Sequence, residues 1–277
     1  GIPGLGGTGE NCEGLDGSTV QINDVPESDT LRLVHARVNW AASTSVREMP
    51  DMAVTLTPPG GEATEILADP DLSESFQDGL ANCEQQIPLI CPNAPAGLAC
   101  SLGFYSNHAD VTQIITAHMT RGGSLNGDWS LADVDIPGAN GNDADTAIAA
   151  IGSLTIGAWS MVLVYEDRET LGPKKIYYYQ GFELNEGLNR RLFPSGFDAP
   201  PDPEVDLTIM VLEGDQGIAG DQLNVNGRQV SDACNPPNNV FNSTVNTGGE
   251  CRRGVQGVDL DRYSIARAID AGDDEAE

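Results

Sequence analysis

The chain has 277 residues, 39% of them hydrophobic, with 32 glycines and 17 prolines and a formal charge of −28. This is enough apolar material for a real core and excludes global disorder, and so negative a surface repels phosphate backbones and anionic lipid, which argues against nucleic-acid and membrane-surface partners. No apolar run reaches the roughly 18 residues needed to span a bilayer. The chain opens on Gly1 without a methionine, as it would after signal removal, and trimming gives the same appearance.

Gly1 to Gly17 is glycine-rich and poor in apolar residues, an extended N-terminal arm over 1–17. Strand patterning starts at Thr19–Ile22 and continues through Leu31–Trp40, where apolar and polar residues alternate as in a half-buried strand. Asp51–Thr57 repeats the pattern before a turn at Pro58-Pro59-Gly60-Gly61. Residues 68–103 form a long irregular stretch with a cysteine-bearing insertion at 82–100. Asp110–Met119 predicts a short helix capped by Asn107 or Asp110, and Asp128–Asp135 returns to strand alternation.

Ala158–Glu166 is nearly continuous in apolar residues and predicts a central strand buried on both faces. Lys175–Phe182, after a turn at Leu171-Gly172-Pro173, predicts its hairpin partner. Val205–Glu213 is a further strand, and Gln222–Val230 predicts a tight hairpin turning at Asn226-Gly227. The acidic end, 271–277, is expected to be disordered unless a partner holds it. Strand signals dominate without βαβ alternation, so residues 18–270 are expected to form an all-β, antiparallel β-sandwich of jelly-roll type with long disulfide-stapled loops.

The six cysteines are Cys12, Cys83, Cys91, Cys100, Cys234 and Cys251. None stands in a C-x-x-C pair, and each lies in a polar, Gly/Pro/Asn-rich setting, which points to disulfides in an oxidising compartment rather than zinc or redox chemistry. The expected pairing closes Cys234 to Cys251, leaving one local pair within Cys83, Cys91 and Cys100 and one partner for Cys12.

Oxygen-rich loops are the candidate metal ligands: Glu213, Asp215 and Asp221 in one, Asp133, Asp135, Asp143 and Asp145 in the other. Calcium favours hard oxygens on glycine-bent loops, although neither loop has EF-hand spacing. Hydrolase signals are poor. The only histidines are His35, His108 and His118, and neither H-E-x-x-H nor G-x-S-x-G occurs. His35 is explained by strand alternation, and His108 reads as a capping or surface residue. In Tyr177-Tyr178-Tyr179, Tyr178 is the candidate for stacking on a glycan, and Asn242-Ser243-Thr244 is a glycosylation sequon at Asn242.

Three stretches taken in order resemble a domain of secreted bacterial and archaeal surface proteins that often sits beside adhesive modules. The first is Val38-Asn39-Trp40 followed by Val54-Thr55-Leu56. The second runs from Ala109-Asp110-Val111-Thr112 through Trp129–Asp135 to Trp159–Glu166. The third is Leu212–Asp221 with Ser231–Pro236 and Phe241–Thr244. The resemblance implies an extracellular β-sandwich and transfers no catalytic residue; the 82–100 insertion lies outside it. The expected function is a non-catalytic, self-associating structural subunit of a cell-surface filament or adhesive layer. A monomeric module binding surface glycans or proteins is the alternative, with a secreted hydrolase behind it.

Overall fold

The computed structural model describes residues 17–45, 50–78, 102–134, 157–183, 189–214, 216–247, 250–253 and 257–277. Strands dominate, paired almost throughout in antiparallel ladders, and the chain divides into two compact units that meet at Pro173/Lys174. Sequence patterning marks no boundary there. The N-terminal arm and the 82–100 insertion lie outside the described residues.

The first unit has strands β1 (Ser18–Ile22), β2 (Arg32–Ser45), β3 (Ala53–Thr57), β4 (Thr64–Leu67), β5 (Glu74–Asp78) and β6 (Leu102–Asp110), then helix α1 (Thr112–Thr120), β7 (Gly127–Ala132) and β8 (Gly157–Glu166). They make two four-stranded sheets, ordered β1-β7-β3-β4 and β5-β6-β2-β8. Alternation along β2 sends Ala36, Val38, Trp40 and Ala42 to one face, all fully buried. Val54 and Leu56 of β3, Trp129 and Leu131 of β7, Trp159 of β8 and Ile115 of α1 join them in one apolar cluster to which both sheets contribute.

Each buried indole keeps a hydrogen bond for its N–H. Trp40 donates to Asp51 O (3.1 Å), Trp129 to Leu125 O (2.9 Å) and Trp159 to Ser18 Oγ (2.7 Å). A buried tryptophan is therefore not left with an unpaired donor. The β3–β4 turn is the expected one, with Gly61 N–H bonded to Pro58 O and Gly60 at φ +62°, the left-handed value that a type II turn requires at its third residue.

Three expectations change. Among the described residues the apolar run 158–166 is not a central strand: β8 pairs there only with β2, at the end of its sheet, and Met161–Glu166 are half-buried. Continuous apolarity reports side-chain faces; it does not count backbone neighbours. Its expected hairpin partner, Lys175–Phe182, is assigned to no strand and Lys174–Tyr179 are exposed. The helix is capped otherwise than expected. Asn107 is buried in β6 with its amide donated to Asp51 O, and Val111 holds the cap position. Asp110 still accepts the Thr112 N–H (2.8 Å).

The second unit has β9 (Asp206–Gly214), the hairpin β10 (Leu223–Val225) and β11 (Arg228–Val230), β12 (Thr244–Val245), β13 (Arg252–Arg253) and β14 (Gly257–Ser264). β13-β12-β14-β9 form a sheet whose single parallel contact is Val245 with Leu260. Asn226 (φ +49°) and Gly227 (φ +73°) make the predicted tight turn.

The acidic end is seated within its own unit. Ala276 is buried, Gly272 N–H bonds Ala199 O, Ala276 N–H bonds Pro194 O, and Asn226 and Glu277 exchange two hydrogen bonds. Charge density predicts a solvated tail, but these bonds use the backbone and leave most of the carboxylates in water. For the first unit, Trp129→Ala should cost about 3–5 kcal/mol of unfolding free energy in urea titrations followed by circular dichroism.

Candidate functional site

Cys234 and Cys251 form the expected bridge, with Cα atoms 5.6 Å apart. Cys12, Cys83, Cys91 and Cys100 lie outside the described residues. So do Asp135, Asp143, Asp145 and Asp215, and of Glu213 only the backbone position in β9 is described. Asp221 is exposed, and Asp133 is an exposed left-handed residue (φ +63°) accepting Thr55 Oγ1 at 2.5 Å. Among the described residues no three His, Cys, Asp or Glu side chains converge on a possible metal position. Asn242 is buried and donates its amide to Cys234 O (3.0 Å), the nitrogen a glycan would need.

Beside the disulfide lies a constellation that motif reasoning missed. Alternation on β14 puts Asp259, Asp261 and Tyr263 on one face, and all three are buried, the two carboxylates completely. Asp259 Oδ1 accepts the Thr244 N–H (3.1 Å), with further backbone bonds from Ser243 and Asn242. Around them, Asp232 caps Cys234 and Asn235 through their N–H groups, and Asn246 joins Asp232 to the Arg262 N–H. Gly214 has no room for a side chain: a Cβ there would stand 1.7 Å from Asp259 Oδ2. The only sequence signal was the alternation Val258-Asp259-Leu260-Asp261, which resembles an ordinary solvated strand edge.

Burial pushes Asp261 up to about 7. The Asn235 amide opposes the rise, and the neighbouring Asp259 and Asp232 charges add to it. Asp259 is raised for the same first reason, opposed by the three backbone N–H groups. A carboxyl whose folded-state value lies above its unfolded value binds more protons when folded. Its contribution is therefore complete in acid, falls as pH rises from about 4 to 7, and is flat above. Asp167, at the end of β8, behaves in the opposite sense. Hydroxyls of Thr170, Thr30 and Ser28 bring it down to about 2, so its contribution is lost only in strong acid.

In the first unit, β2, β6 and β8 carry a polar ladder on the face away from the tryptophans. His108 is buried here, not a surface cap, because β6 continues through it. Its Nδ1 meets Asn39 Oδ1 at 2.6 Å and its Nε2 meets Ser106 Oγ at 3.2 Å, while Asn39 donates to Ser160 Oγ. Burial, then the Arg37 charge, hold His108 down to about 4 against the pull of Asp69, so the imidazole is neutral at pH 7. Ser, His and Asn are the residue types of a nucleophilic triad, but such chemistry needs an open hydroxyl. Ser106 is only 7% exposed, and the ladder's visible role is cross-strand hydrogen bonding.

The second unit also exposes an apolar strip. Six of the large hydrophobic side chains left in solvent fall between 176 and 193: Ile176, Tyr177, Tyr178, Tyr179, Leu192 and Phe193. Tyr179 donates to Ser195 O (2.8 Å), and Tyr177 meets Phe197 edge-on with centroids 6.0 Å apart, so 177–179 lies beside 195–197. No family model matches the chain, and neither a curated protein nor a solved structure matches it. The titration of the buried carboxylates is testable: melting temperature should rise from pH 8 to pH 5, and Asp261→Asn should flatten that rise when scanned by calorimetry.

Proposed function

We propose that the chain is a non-catalytic structural subunit of an extracellular surface assembly, in which copies associate with one another. The observation that carries this is the exposure of Ile176, Tyr177, Tyr178, Tyr179, Leu192 and Phe193, since large apolar side chains left in water in number mark interaction surfaces. The Cys234–Cys251 bridge supports an oxidising compartment. Two four-stranded sheets contributing to one tryptophan-rich core support a β-sandwich for the first unit. The seated C-terminal end, bonded within its own unit, is not the connector in this scheme. Calcium belongs to the proposal through the 213–221 and 133–145 loops; equal melting temperatures in calcium and in chelator would remove it.

Negative-stain microscopy of native surface material, with an antibody to this chain, should show labelled ordered assemblies. Label only on dispersed monomers overturns the proposal. The second reading, a glycan- or protein-binding adhesion module, is favoured by the exposure of Tyr178 and by the intramolecular seat of the chain end. A glycan-array signal abolished by Tyr178→Ala would select it.

A further inference from the structure

Beside the buried face of β14, a threonine and an asparagine meet out of solvent. Thr244 Oγ1 donates to Asn235 Oδ1 at 2.8 Å, between residues nine positions apart. Thr244 is 2% exposed, and Asn235 and Asp261 are fully buried. The carbonyl carbon of Asn235 lies one bond of about 1.23 Å beyond Oδ1, which puts it within about 4 Å of the hydroxyl oxygen. Side-chain rotation is then enough to reach the separation of about 3 Å that a reacting pair needs.

Three features separate this contact from an ordinary buried hydrogen bond. Asn235 is followed by Pro236, which has no N–H, so the usual attack of the next backbone nitrogen on an asparagine carboxamide is closed. Asn235 Nδ2 is buried and makes no full hydrogen bond, and neither does Asp261 Oδ1. A buried donor in that condition is costly, and losing the nitrogen removes the cost. Finally, an acid stands beside that nitrogen. Burial pushes Asp261 up to about 7, opposed by the Asn235 amide that faces it, so below neutrality the carboxyl holds a proton for a leaving group.

We propose that Thr244 and Asn235 join in an intramolecular ester, formed by the folded chain itself with loss of ammonia. Thr244 Oγ1 adds to Asn235 Cγ, and the hydroxyl proton passes to Oδ1, to which it is already donated. Asp261 gives its proton to the nitrogen and takes the one on Oδ1 through its other oxygen. The C=O bond reforms, the C–N bond breaks and ammonia leaves. One C–O bond has replaced one C–N bond, nothing is oxidised or reduced, and Asp261 ends as it began. The burial of both residues shields the product from hydrolysis. The cross-link lies within the loop closed by Cys234–Cys251 and ties that loop to β12, in a unit whose apolar cluster is built mainly from small side chains. Its formation is independent of the self-association proposed above.

The test is mass spectrometry of the folded chain after reduction of its disulfides and digestion with trypsin. Cleavage after Arg228 and Arg252 leaves both residues in one peptide, 229–252. That peptide should weigh one ammonia less than its sequence requires, with fragmentation placing the loss between 235 and 244 and not at Gln229. Hydroxylamine, which opens esters, should break the link. Thr244→Val keeps the shape of the side chain and removes the nucleophile, so its peptide should have full mass, whereas Thr244→Ser should still lose ammonia. Asp261→Asn should leave the peptide at full mass, and circular dichroism verifies that each variant folds. A full-mass peptide from the unaltered chain overturns the proposal, and so does an ammonia loss that persists in folded Thr244→Val.

Discussion

Burying three tryptophans with their indole N–H groups satisfied is the constraint on which the first unit depends. Trp40 and Trp159 are register partners on β2 and β8, and Trp129 arrives from the other sheet. Each ring needs a carbonyl or hydroxyl at hydrogen-bonding distance, and these come from Asp51, Leu125 and Ser18, all outside the strand that carries the ring. The pairing of Trp40 with Trp159 places β8 beside β2, and β6 takes the other side. Among the described residues no other strand pairs with β8.

The second unit is held differently. Its apolar cluster consists mainly of alanine, valine and isoleucine, with Tyr263 the one large ring among the buried members. Polar attachment takes up much of the burden. The disulfide closes the loop before Cys251, Asp232 and Asn242 bond its backbone at Asn235 N–H and Cys234 O, Thr244 Oγ1 donates to Asn235, and Asn246 accepts the Arg262 N–H of β14. Burying Asp259 and Asp261 there is costly, and backbone N–H groups and a proton offset part of the cost. Such a unit tolerates mild acid better than alkali, whereas the Asp167 clamp at the end of β8 endures until much lower pH.

Much of the local structure was legible because its signals are short-range. Alternation in Leu31–Trp40 and Asp51–Thr57, the proline–glycine turn at 58–61, and Asn226-Gly227 each specify conformation within a few residues. The Cys234–Cys251 bridge was legible because the loop between them is short and polar. The candidate sites were legible only in part. Tyr178 was found as an exposed aromatic, but the exposure of Leu192 and Phe193 and the packing of Tyr177 and Tyr179 against 195–197 were not. Asp259 and Asp261 were hidden in a pattern that any strand edge shows.

By itself the sequence determined several of the strands, which face of β2 is apolar, and that the protein is β-rich with a stapled loop. These follow from period, turn chemistry and cysteine setting, all properties of neighbouring residues. Only the tertiary structure decided that β8 pairs with β2 alone among the described residues, that Lys175–Phe182 is assigned to no strand, that His108 is buried and that the acidic end is docked. Each of those depends on which distant backbone supplies the next hydrogen bond, and no local pattern carries that information.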